Sequence, residues 1–264
     1  KGGSEGITHR MIDQFLALGG TIHTRKKAVA FTYGKKCISG VTFSDGTTAT
    51  ADYYIAACDT AVTFKQLLHP KYIDKFFKEH YSNKQAHPVY SSFNTYLAVD
   101  ADTSFLGDTT WFDCYPYWAV GRVQKNILLK NFASEPGFSP EGKNLLQTLL
   151  VQYEDDFERW EDLYLRYPEK YKEEKARLAQ QIVERIETQF PVFKGKIEVI
   201  ETVSPYSFYR FCGAYKGSYM SFILTPYAPK KSHKGRIKGL SNLYLSGQWL
   251  QPPGGLPNAA VTGR

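Results

Sequence analysis

The closing stretch SGQWLQPPGGLPNAAVTGR, residues 246–264, has residue types and spacing suited to chemistry. A short apolar strand runs through a turn rich in proline and glycine into a helix start, where backbone N–H groups find no carbonyl within the helix. Donors placed in this way suit an anionic or electron-rich ligand. Pro257 fits the first helical position because its missing N–H would have gone unpaired, and Leu256 before it has no side-chain oxygen with which to cap the helix. Gly254 and Gly255 lack a β-carbon, so a flat ring can approach the backbone closely.

A second group lies upstream. Arg210 and Lys216 are candidates for holding a carboxylate of a substrate or cofactor, with Tyr209 beside them as a third catalytic candidate. They sit among Tyr206, Phe208, Phe211, Tyr215, Tyr219 and Phe222. Together with Trp111, Phe112, Tyr115, Tyr117 and Trp118, these aromatics either fill a strand-rich core or wall an elongated apolar pocket. For the two cations, ordinary surface charge is the competing reading. Acid–base or nucleophilic constellations are not visible: Asp52, Glu198 and Glu201 are isolated strand carboxylates, and no serine sits in a nucleophile elbow. Cys37, Cys58, Cys114 and Cys212 are widely spaced, and no histidine falls at metal-ligand spacing near them, so a reduced protein without a structural metal is expected.

These groups must be positioned by elements that the patterning makes legible. Ile7, Met11, Phe15 and Leu18 recur at helical spacing before Gly19-Gly20, which predicts an amphipathic helix. Alternating residues between turn signals predict strands near 21–24, 27–33, 36–43 and 48–57, and Asp59-Thr60 can cap the helix that follows. From residue 88 the chain reads as long strands in succession, joined by Gly and Pro loops. Residues 156–190 read as helical with a break at Pro168, and Tyr171, Leu178, Ile182, Ile186 and Phe190 form the apolar stripe of the second helix. The fold class expected is α+β, a mixed or antiparallel sheet with flanking helices.

At 264 residues with 42% hydrophobic and 22% charged side chains, the chain has the composition of a globular protein, and no apolar run reaches the length of a membrane span. The net charge of +7 is concentrated in PKKSHKGRIKG, residues 229–239. One such run is little signal for nucleic acid; a solvated loop is the plain reading, and contact with a membrane surface or phosphate the sharper one. No signal peptide is legible at the N-terminus, and a cytoplasmic protein is expected, with membrane association as the alternative. The chain opens with Lys1 rather than Met, as an internal piece of a longer protein would.

Three blocks, in order, resemble one family. NLYLSGQWLQPPGGLPNAAVTGR is similar to the C-terminal flavin-binding signature of the phytoene desaturase-like flavoproteins, relatives of the amine oxidases and of carotenoid and retinol desaturases or isomerases. ETVSPYSFYRFCGAYKGSY resembles the family's Ser-Pro step followed by an Arg-aromatic pair and a glycine turn, and residues 2–57 resemble its middle section. The resemblance implies FAD as cofactor. It places Val29 near the adenine, Ala57 beside the dinucleotide, Gly247 and Gln248 at the pyrophosphate or ribityl chain, and Gly255, Leu256, Pro257 and Asn258 beneath the isoalloxazine. Where the group often carries an acid, this chain has Gln248.

The G-x-G-x-x-G turn that binds the diphosphate in such proteins does not occur in the sequence. The resemblance therefore implies a C-terminal fragment, inactive alone, whose partner is the missing N-terminal half of the same polypeptide. Residues 1–60 and 239–264 would belong to the FAD-binding domain, and 61–238 to the substrate domain. The intact enzyme would dehydrogenate, saturate or isomerise an apolar, polyene or lipid-like substrate. An amine oxidase-like enzyme and a non-catalytic lipid- or protein-binding domain are the alternatives.

Overall fold

The computed structural model describes residues 3–135, 137–228 and 230–264, so Lys1 and Gly2 of the predicted glycine-rich start and Pro229 of the basic run lie outside the described residues. In chain order, α1 (Gly3–Ala17) precedes β1 (Ala28–Tyr33), β2 (Ile38–Phe43), β3 (Thr48–Ala49) and β4 (Tyr54–Ala56). Next come α2 (Thr60–Val62), continued by a π turn over Thr63–Leu67, and α3 (Lys75–Ser82). Four strands, β5 (Ser91–Val99), β6 (Thr109–Ala119), β7 (Arg122–Asn131) and β8 (Asn144–Gln152), lead to α4 (Glu154–Arg166) and α5 (Pro168–Gln189). The last elements are β9 (Ile197–Val203), α6 (Pro205–Cys212), β10 (Leu243–Leu245) and α7 (Leu256–Gly263). Mixed helices and largely antiparallel sheets make up the fold, as the patterning predicts. The chain forms two compact units.

One unit comprises residues 1–24, 92–151 and 159–204. Its sheet has the order β6-β7-β8-β5-β9, and β5, between β8 and β9, is buried along nearly its whole length. Against this sheet lies α5, started by Pro168 at its first turn, with Leu178, Ile182 and Ile186 almost fully buried. On α4, Trp160 stacks on Phe93 at 5.5 Å and meets Tyr171 edge-on at 5.6 Å. The predicted stripe is thus core. The N-terminal helix also forms, but its apolar face is bare: Met11 is 69% exposed and Leu18 78%.

The other unit comprises residues 25–91, 152–158 and 205–264. It holds the antiparallel sheet β1-β2-β3 and the parallel pair β4-β10, in which Leu243, Tyr244 and Leu245 lie opposite Tyr54, Ile55 and Ala56. Ile38, Phe64, Phe77, Ile237, Leu240, Leu243 and Leu250 form its core. Two expectations need correction. Residues 21–24 form no strand: their side chains are exposed and pair with none, and Arg25 turns the chain with φ of 59°. The single strand expected over 48–57 is two, because the hydroxyl of Tyr54 accepts the amide of Ala51 at 2.9 Å and folds the intervening residues out of the sheet.

Candidate functional site

The parallel pair sets the site. Both strands run the same way and end together, with the amide of Ser246 donating to the carbonyl of Ala56 at 3.1 Å, so the segments leaving them diverge from one edge. A crevice outside the carboxyl ends of parallel strands is where such sheets receive ligands. Here a cavity of about 370 Å³ opens between Ala57, Cys58 and Asp59 after β4 and Gly247, Gln248 and Trp249 after β10. Phe208 and Cys212 of α6, with Ala214, Ser218 and Tyr219, close its far wall.

Asp59 ties these walls together. One carboxylate oxygen accepts the amide of Ala61 at 2.7 Å and caps α2, as predicted; the other accepts the amide of Tyr215 at 2.7 Å. Burial pushes its carboxyl up to about 6, against the two amide hydrogen bonds and the nearby Lys65, which favour the charged form. Lys65 lies over the rings of Tyr81 and Tyr215 at 4.7 and 4.4 Å, and burial, with the neighbouring Lys216, lowers its affinity for a proton. The phenol of Tyr81 is hydrogen-bonded to Thr60 at 2.8 Å, and burial raises that of Tyr215 to about 12. Trp249 meets Tyr215 and Phe222 edge-on and is buried.

The glycine turn is built for close approach at one residue and for packing at the next. Gly255, with φ of 89°, is the N-cap of α7, and a β-carbon there would meet only Pro257 at 3.8 Å. Its neighbour Gly254 differs: a β-carbon would fall 2.7 Å from the amide of Ser221, so its missing side chain admits protein rather than a ligand. The helix begins one residue earlier than predicted, at Leu256, so Pro257 occupies the second helical position. Gln248 accepts the amide of Gly255 at 2.9 Å, Asn258 donates to the carbonyls of Gly254 and Gln251 at 2.8 and 3.2 Å, and Thr262 accepts the amide of Gly247 at 3.0 Å. Leu256 is 72% exposed.

The fold thus brings Ala57, Gly247 and Gln248 to one cavity, with Gly255 tied to Gln248 and Gly254 to Gln251, while Val29 lies in β1 and is not among the lining residues. Nor do Tyr209, Arg210 and Lys216 line it. Tyr209 packs on Phe157 and Tyr206, Arg210 lies over the ring of Phe211 at 5.4 Å, and the ammonium of Lys216 pairs with Glu158 at 3.1 Å. From the sequence Asp59 is legible only as a helix cap and Phe208 only as one of the aromatics that fill a core or wall a pocket, while Cys212 and Trp249 carry no signal of a role at the site; the aromatic density of 205–222 is the one signal that points to that wall.

A flat cofactor fits this donor set: apolar walls at Phe208 and Trp249, an open backbone position at Gly255, and amides of the first turn of α7. The whole chain, residues 1–264, matches the family described as flavin containing amine oxidoreductase. The chain belongs to that family. An oxidoreductase from Methanosarcina mazei shares its fold with a TM-score of 0.61 at 18% identity, over 99% of this chain and 53% of that one. A Pyrococcus furiosus protein does so with a TM-score of 0.56 at 14% identity, over 97% and 48%. The chain therefore spans about half the length of these structures. Comparison with curated proteins gives no match. Among the described residues no helix is long and apolar enough to cross a membrane.

Proposed function

We propose that this chain is the substrate-binding lobe and C-terminal flavin-contacting part of a phytoene desaturase-like, FAD-dependent oxidoreductase, completed by a dinucleotide-binding half elsewhere in the native polypeptide. The observation that carries the reading is the cavity joining Ala57, Gly247 and Gln248 at the carboxyl ends of β4 and β10. Support for the second half comes from the parallel pair itself. Parallel sheets are normally wider and covered on both faces, yet Ile55 is 70% exposed and Tyr53 68%. The lengths of the two related structures agree with this.

FAD, when bound, supplies the acceptor for a hydride. This chain's residues supply position and electrostatics. Gly247 and Gln248 would face the ribityl and pyrophosphate side, and the first turn of α7, from Leu256 to Asn258, would turn its dipole toward negative charge on the ring. Gly255 leaves room for the ring edge, while Phe208, Tyr219 and Trp249 exclude water from an apolar substrate. Such a substrate resides in membranes, so peripheral contact with a membrane surface belongs to the same reading. Arg210, Lys216 and Tyr209 are then structural in this unit rather than catalytic.

The family description favours a second reading, oxidation of a C–N bond in an amine. Anaerobic mixing of the purified native polypeptide with an apolar polyene or with an arylalkyl amine separates them by bleaching of the flavin absorbance. Bleaching by the polyene alone is expected; bleaching by the amine alone would replace the first reading with the second. A colourless protein that retains bound lipid would mark a non-catalytic binding domain.

A further inference from the structure

Within the densest basic run of the sequence, residues 233–236 are pinned. The amide of His233 donates to the carbonyl of Leu250 at 2.7 Å and its ring pairs with Asp74 at 2.5 Å, while the amide of Leu245 donates to the carbonyl of Gly235 at 2.7 Å. Gly235, with φ of 74°, lies flush on β10, where a β-carbon would fall 2.6 Å from the carbonyl of Leu245. Arg236 then forms an antiparallel bridge with Tyr244. Burial alternates along this segment: Gly235 and Ile237 face the core, and Lys234, Arg236 and Lys238 face out. In an extended chain that alternation puts the three cations on one face.

Beside this row lies a cavity of about 390 Å³. Lys36 and Arg236 stand on its walls with Ser241 and Tyr244, and the buried Ile237 and Leu240 form its floor. The backbone at Lys36 is fixed, its carbonyl accepting the amide and hydroxyl of Ser241 at 2.9 and 3.2 Å. No carboxylate lines the cavity, and among the described residues none pairs with Lys36, Lys234, Arg236 or Lys238. Like charges held together on a rigid frame without a counter-charge attract a compact anion, and a guanidinium offers paired donors to phosphate oxygens.

We propose that this cavity is a binding site for a phosphate monoester group, held by Arg236 and Lys36 and attracted by Lys234 and Lys238. It is separate from the cavity at the ends of β4 and β10 and does not rest on the flavin reading. The same chemistry is offered by a soluble phosphate ester and by a lipid headgroup.

The test pairs calorimetric titration of the chain with inorganic phosphate and co-sedimentation with phosphatidic acid vesicles, against vesicles of phosphatidylcholine alone. Arg236→Gln and Lys36→Gln are each expected to weaken binding of phosphate about tenfold, and the pair to abolish it, while Lys172→Gln on the other unit leaves it unchanged. Binding should fall at about 0.5 M NaCl. Circular dichroism checks that the variants, all at exposed positions, remain folded. Phosphate binding without vesicle retention identifies a soluble ester, and retention by phosphatidic acid alone identifies a lipid. Binding of neither probe, or equal binding by wild type and the double variant, overturns the proposal.

Discussion

At the scale of single residues, Asp59 and Gln248 decide how the cavity is held. The carboxyl of Asp59 sits near 6 rather than at its ordinary 3.8, because burial outweighs the two amides it accepts. A carboxyl raised by folding stabilises the protein most when protonated. Its contribution is therefore full below about pH 4 and is lost as pH rises through 6. Denaturant melts at pH 4 and 7 should show wild type losing up to about 3 kcal/mol relative to Asp59→Asn over that interval. Parallel pH profiles for the two proteins would refute the assignment. Gln248→Ala removes the acceptor of the Gly255 amide and should cost about 1 kcal/mol, whereas Gln248→Glu, which keeps an acceptor, should cost less. Urea unfolding of both variants checks this. Asp59 was legible as a cap because its spacing to α2 is local; its bond to Tyr215, 156 residues away, is a product of the fold and leaves no local pattern.

Among the elements, two amphipathic helices with equally clear periodicity have opposite fates. On α5 the stripe is core, so Ile182→Ala should cost about 2–5 kcal/mol, measured by thermal or urea unfolding. On α1 the stripe faces outward, and Met11→Lys should change stability by less than about 0.5 kcal/mol while improving solubility. A loss comparable to that of the α5 variant would mean that α1 is buried after all. Periodicity announces that a face is apolar but not what covers it. The long strands β5 to β9 and the break at Pro168 were readable because each signal is local. By contrast, α6 was hidden because Tyr206, Phe208, Tyr209 and Phe211 crowd a single two-turn helix. The parallel pairing of β4 with β10 joins segments nearly 190 residues apart and could be anticipated only through the family resemblance.

For the molecule as a whole, the chain is two compact units that together span about half the length of the related solved structures, and the cavity lined by Ala57, Gly247 and Gln248 lies within one of them. On the proposed function, this unit supplies part of a flavin site and the diphosphate-binding part lies elsewhere in the native polypeptide. Titration of the 264-residue chain with FAD, followed by flavin fluorescence and absorbance beside the purified native polypeptide, tests it most directly. No tight binding to the chain alone and a yellow native protein with one FAD per polypeptide are expected. Tight stoichiometric binding by this chain alone, or a native protein that purifies colourless and takes up no FAD, would contradict the proposed function.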